Sequence, residues 1–148
     1  MPPILYLCPS TRFMLNHTFF TIETMTRESQ EPGQEGQLHE KCHAGVRINP
    51  GHSIFEGHFP GNPVIPGVCQ VQMVTEILGE FYTRRFRLAE ADNIKFLSLI
   101  NPLETGMISL DLTCRQLPAG EVSVNAVAFT GGLTYLKMKA RFIPEPEG

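Results

Sequence analysis

One segment of this chain carries a helical period, while the other patterned segments alternate with period two. That contrast restricts the fold more than any other feature of the sequence. Val71, Val74, Ile77, Leu78 and Phe81 recur at three- and four-residue spacing within Val68 to Tyr82, and Val68, Met73 and Tyr82 widen the apolar surface. A helix apolar on most of its sides must be covered on most of its sides. The alternating segments are the material available to cover it.

Phe19 to Met25 is a candidate first strand, and residues 27–37 read as a polar loop. From Leu38 to Ile48 the chain alternates, with Leu38, Cys42, Ala44, Val46 and Ile48 on one face and only Glu40 interrupting. Asn49-Pro50-Gly51 marks a turn before a short Ser53–Phe55 stretch. After the helix, Asp92 to Leu99 reads as a strand and Asn101-Pro102 as a turn. Three period-two strands follow. The first carries Ile108, Leu110, Leu112 and Cys114, and the second Val122, Val124, Ala126 and Ala128. In the third, Leu136, Met138, Ala140 and Phe142 oppose Tyr135, Lys137, Lys139 and Arg141. Gly131-Gly132 is a two-residue hairpin turn between the last two. One curved antiparallel sheet around one helix satisfies this order, an α+β architecture.

The 148 residues fit a single domain. Met1 to Arg12 shows no period and reads as a tail ahead of Met14, which gives a tail at 1–13 and one domain at 14–148. A formal net charge of −3 with no basic block argues against a nucleic-acid partner. Cys8, Cys42, Cys69 and Cys114 are scattered without a C-x-x-C pair, so neither a zinc ribbon nor a disulfide framework is expected. No apolar run approaches the roughly 18 residues of a membrane span, and Ile4 to Cys8 is too short for a signal-peptide core. The cytoplasm is the expected location.

His58 opens the run His58-Phe59-Pro60-Gly61-Asn62-Pro63-Val64-Ile65-Pro66-Gly67-Val68, whose three prolines and two glycines deliver the chain into the helix. Prolines restrict φ and glycines permit close approach, a combination suited to holding one imidazole and nearby backbone amides still. Gly67 and Val68 lie at the helix start, where N–H groups lack intrahelical acceptors and the dipole favours negative charge. The plainer alternatives are a histidine that stabilises its loop and a helix end bonded to water. His39 and His43 lie four residues apart on a strand, about 13 Å, too far for one zinc with bonds near roughly 2 Å. No metal and no organic cofactor is expected.

The run from His58 to Val68 resembles the signature of the β-hydroxyacyl-acyl-carrier-protein dehydratases of fatty acid synthesis. The resemblance extends through Asp92-Asn93-Ile94-Lys95-Phe96 and the last strands, about Met14 to Phe142. It implies a hotdog fold, in which an antiparallel sheet wraps a helix and two copies join their sheets. It also implies a catalytic His58, with Phe59, Pro60, Gly61, Gly67 and Val68 against an acyl thioester. In that family the histidine works with a carboxylate from the partner subunit's helix. The matching position here is Gln72, and one turn later, where those enzymes often carry Gln, stands Glu76.

Dehydration of a 3-hydroxyacyl thioester needs a base for the C2 proton, help for the departing C3 oxygen, and donors for the thioester oxygen. His58, Gln72 with Glu76, and the Gly67 and Val68 amides are the candidates for those three tasks. Arg84, Arg85, Arg87 and Lys95 form a local basic cluster suited to an acidic acyl carrier protein, or equally to a solvated helix end. A homodimer or higher oligomer is expected. Two further readings stay open: a degenerate hotdog protein that binds acyl chains or donates His58 to a heterodimer partner, and an acyl thioesterase.

Overall fold

The computed structural model describes residues 15–30, 39–57 and 61–146. The strands are β1 (Phe20–Gln30), β2 (His39–Ile48), β3 (Phe86–Phe96), β4 (Met107–Gln116), β5 (Val122–Thr130) and β6 (Leu133–Pro144). One long helix, α1 (Gly67–Tyr82), lies between β2 and β3 in the chain. All neighbouring strands are antiparallel, in one six-stranded sheet of order β1-β2-β4-β5-β6-β3. This is the expected helix-and-sheet plan. The tail expected at 1–13 lies outside the described residues, but Leu15 and Phe19 are fully buried members of the core.

Alternation explains where the core sits. Cys42, Ala44, Val46 and Ile48 of β2 are buried, as are Ile108, Leu110, Leu112 and Cys114 of β4 and the matching residues of β5. They enclose Cys69, Met73, Val74, Ile77, Leu78 and Phe81 of α1. Burying an aliphatic side chain of this kind contributes about 1.5–3 kcal/mol. Pro66 caps the helix start in an extended conformation, where its missing N–H costs nothing. At the other end Thr83 takes a left-handed conformation and the Arg84 amide returns to the Gly79 carbonyl at 3.0 Å. The chain thereby leaves α1 directly into β3.

Four expectations need correction. β1 runs on to Gln30, because Arg27, Glu28, Ser29 and Gln30 pair with Cys42, Lys41, Glu40 and His39; four residues expected in a loop are strand, and 31–38 lie outside the described residues. The strand expected at Asp92–Leu99 is Phe86–Phe96. It is exposed along most of its length and carries two register shifts against β6, so it shows no clean period. Tyr135 is buried together with Leu136, beside a register shift at Ala128/Phe129. A sequence reading also gives His52 no clear partner, whereas in the structure it accepts the Ile54 amide at 3.1 Å through Nδ1 and meets Phe19 edge-on.

Glu40, the one interruption in the β2 alternation, is a buried ion rather than a surface defect. It is 3% exposed and pairs with the Arg27 guanidinium. The Tyr82 hydroxyl and the Gln116 side-chain amide each donate to its Oε1 at 3.1 Å. A buried carboxylate with a cation and two further donors is satisfied.

Candidate functional site

The first link is the loop that carries His58. His58, Phe59 and Pro60 lie outside the described residues, and the structure fixes the segments on either side. Before them, a short 3₁₀ turn at Ser53–Glu56 buries Ile54 and Phe55. Phe55 packs on Phe19, with ring centroids 5.5 Å apart. After them, Gly61 has φ of +75°, a conformation that favours glycine. Val64 and Ile65 are buried, and the Ile65 amide bonds the Ile100 carbonyl at 3.0 Å. The loop is therefore tethered to the core at both ends.

The helix start follows. The Cys69 and Gln70 amides make the first bonds, to the Pro66 carbonyl, at 3.0 and 3.2 Å. The amides of Gly67 and Val68 precede that ladder, with the helix dipole behind them. Val68 is 37% exposed, so it lines the outside of the helix start rather than the core. Gly67 has a steric reason to be glycine, since a Cβ there would stand 2.7 Å from the Phe96 ring.

Gln72 and Glu76 are brought together. They lie one turn apart on α1, and Gln72 Nε2 donates to Glu76 Oε2 at 3.0 Å. Glu76 is 4% exposed. Its carboxylate also receives the Leu15 amide on both oxygens, at 2.9 and 2.8 Å, and the Asn16 amide at 2.8 Å. Burial raises the Glu76 pKa, and the donors from Leu15, Asn16 and Gln72 pull the other way. The Glu76 contacts to Leu15 and Asn16 span about sixty residues of sequence, and no local pattern foretells them.

Gln70 is a polar residue that sequence reasoning missed. It is 6% exposed and its Oε1 has no hydrogen-bond partner among the described residues. With Met73, Ile100, Ile108, Leu110 and Ala128 it lines a cavity of about 10 Å³ between α1 and the sheet, close to the size of one water. The available signal was a Gln inside the most apolar segment of the chain.

The basic cluster does not hold as one group. Arg84, Arg85 and Arg87 are exposed where the chain leaves α1. Lys95 lies eight residues beyond Arg87, about 26 Å along β3, opposite Lys137 of β6. On the outer sheet face, His43 Nδ1 lies 2.8 Å from Asp111 and its Nε2 3.2 Å from Glu28, an ion cluster that joins β1, β2 and β4. Among the described residues no group of His, Cys, Asp and Glu is arranged to hold a metal ion, and no helix is long and apolar enough to cross a membrane.

Comparison with known proteins adds the rest. Residues 34–126, more than half of the chain, match the ApeI-like family model, described as ApeI dehydratase. A 3-hydroxyacyl-[acyl-carrier-protein] dehydratase FabZ of Novosphingobium aromaticivorans is 32% identical over 81 residues, 51% of each protein. The chain thus spans about half the length of that relative. The FabZ of Lactobacillus helveticus is 25% identical over 118 residues, 72% of this chain and 74% of that one. Among solved structures, a putative thioesterase yhdA of Lactococcus lactis superposes with a TM-score of 0.64 at 8% identity, over 90% of this chain and 99% of that one. The dehydratase heterocomplex ApeI:P of Xenorhabdus doucetiae gives 0.54 at 18% identity, over 81% and 98%. At such identities these superpositions speak for the fold alone, and the fold is the hotdog.

Proposed function

Because the chain belongs to the ApeI-like dehydratase family, we propose that it dehydrates 3-hydroxyacyl groups carried as thioesters on an acyl carrier protein. The observation that carries this reading is the family match across residues 34–126, which takes in both the His58 loop and all of α1. The named FabZ relatives supply the substrate class. The scattered cysteines fit action in the cytoplasm.

The chemistry follows from what each group can do. His58 takes the C2 proton, and the amides of Gly67 and Val68 hold the thioester oxygen as charge gathers there. Phe59, Pro60 and Gly61 flank the acyl thioester. The C3–O bond breaks as the C2=C3 bond forms, and the proton on the imidazole passes to the departing oxygen, so that water leaves. One histidine can serve as base and then acid. Gln72 has no acidic proton to give, and its part is to orient the C3 hydroxyl. Glu76, with its oxygens engaged by amide donors, stands behind Gln72.

The active unit is a dimer in this reading. Among the described strands β3 borders the sheet with β6 alone paired to it, and Phe96, Leu97 and Leu99 are 51%, 50% and 78% exposed. An exposed strand edge beside apolar surface calls for a second subunit. The same edge supports a second reading, in which a different hotdog chain joins at β3 and supplies a carboxylate to His58. Arg84, Arg85, Arg87 and, separately, Lys95 are the cations offered to an acidic carrier protein.

The test is turnover of carrier-bound 3-hydroxyacyl thioesters of several lengths by the purified chain alone, followed by appearance of the enoyl thioester. The chain should be active alone and sediment as a dimer, and His58→Ala should abolish activity while the protein stays folded. Activity that requires a second hotdog chain selects the heterodimer, and equal activity in His58→Ala removes His58 from the reaction.

A further inference from the structure

We infer that Glu76 is a positioning residue that fixes the polarity of the Gln72 amide, so that Gln72 works as a hydrogen-bond acceptor through Oε1. The inference rests on the dehydratase reading for its meaning in catalysis, and the bond that carries it does not. A side-chain amide has a donor end and an acceptor end, and which end faces a partner is decided by what the partner needs. The partner here is a buried carboxylate whose other contacts are the N–H groups of Leu15 and Asn16. That geometry serves the ionised form, which can only accept. Turning the amide over would set Gln72 Oε1 against Glu76 Oε2 at a contact that is now 3.0 Å. Two acceptors facing each other in a buried place forfeit a charge-assisted hydrogen bond and add repulsion.

The segment Leu15–Phe20 holds this device in place. Its first two amides bind Glu76, while Phe19 packs on His52 and Phe55, in the segment that leads to His58. One stretch of chain therefore braces both the helix that bears Gln72 and the approach to the His58 loop. With Oε1 as the working end, Gln72 can receive a hydrogen bond from a substrate hydroxyl or from an imidazole N–H, while its Nε2 is directed at Glu76. The transposed order of Gln and Glu on the helix then has a purpose. The deeper carboxylate orients the shallower amide.

The experiment uses the full-length protein and the variants Glu76→Gln, Gln72→Ala and the double variant. Glu76→Gln should lower kcat about tenfold to a hundredfold with KM within about twofold, and it should leave the pH profile of kcat unchanged in shape. In the Gln72→Ala background the same substitution should cost kcat less than about twofold, because the group it acts through is gone. Side-chain amide NMR reads the device directly. The Gln72 NH₂ protons should exchange slowly with solvent in the wild type, and markedly faster in Glu76→Gln, while urea unfolding verifies that both proteins are folded.

Three results overturn the inference: loss of an ionisation from the kcat profile in Glu76→Gln, which makes Glu76 the acid or base itself; an equal kcat loss in both backgrounds; or an unchanged Gln72 amide signal. If the wild type turns over no thioester, the dehydratase reading fails. The amide signal then decides the positioning of Gln72 on its own.

Discussion

The guanidinium of Arg27 lies over the ring of Phe81, 3.9 Å from its centroid, and donates a hydrogen bond to the carbonyl of the same residue. Phe81 is in the last turn of α1, where carbonyls have no intrahelical donor. Arg27 stands on β1, at the opposite border of the sheet from β3. With the Glu40 pair added, this one side chain fastens the helix end, an edge strand and a buried carboxylate.

Arg27→Met keeps an unbranched apolar stem and removes the donors. It should lower stability by about 2 kcal/mol, the scale of a hydrogen bond to a charged group that leaves its buried partner short, measured by urea unfolding. Arg27→Lys should recover less than half of that, because an ammonium does not stack and cannot serve Glu40 and the Phe81 carbonyl from one planar fork. A change below about 0.5 kcal/mol, the range of ordinary surface substitutions, would show that the clasp contributes nothing.

Gln72→Glu tests the helix pair from the other side. The new carboxylate would face Glu76 across a contact that is now 3.0 Å, and two carboxylates so close share a proton, with one pKa raised. The variant should therefore gain a titrating group, so that kcat falls on the alkaline side where the wild type stays level. The swap Gln72→Glu with Glu76→Gln should remove much of that repulsion, restore a donor opposite a carboxylate, and exceed the single variant in turnover at neutral pH. If the single variant has the wild-type pH profile, the two positions are not in contact during turnover.

His43 gives a pH dependence of stability. Its pKa is raised above the ordinary 6.5 by its hydrogen bonds to Asp111 and then Glu28, with burial opposing. A raised folded value means that the imidazolium favours the native state. The contribution is complete below 6.5, while both carboxylates remain ionised, and is lost as pH rises through the raised value. The urea midpoint should therefore fall between about pH 6 and about pH 8. That fall should shrink in His43→Gln and in high salt, since the side chains involved are 41–61% exposed. An identical fall in wild type and His43→Gln would assign it elsewhere.

Sequence patterning marked those elements whose two faces see different surroundings. β2, β4 and β5 alternate because one face of each lies on the core and the other faces out. The Gly131-Gly132 turn was legible from the demand for φ > 0, and Gly131 has φ of +57°. β3 escaped because neither of its faces is buried in this chain and its register shifts twice, so its boundaries were misplaced. The site divides in the same way. The His58 loop and the Gln72–Glu76 spacing could be read from neighbours in sequence. The surroundings of Glu40, Gln70 and Glu76 could not, because they come from distant strands and from Leu15–Asn16. The basic cluster failed for a related reason, since closeness in sequence became length along a strand.

The place of β3 in the sheet also sets a timetable for synthesis. Among the described strands its one partner is β6, which is made after the other five, and Phe96 pairs with Leu136 while Phe86 pairs with Pro144. At about 5–20 residues per second, the ribosome takes roughly 2–10 s to pass from the end of β3 to the end of β6. For that interval the strand and the leucines beyond it wait without cover, and α1 lacks part of its wrapping. Folding of this domain is held until β6 has been made, so a nascent protein stalled inside β6 would offer chaperones and aggregates the apolar border formed by Phe96, Leu97 and Leu99.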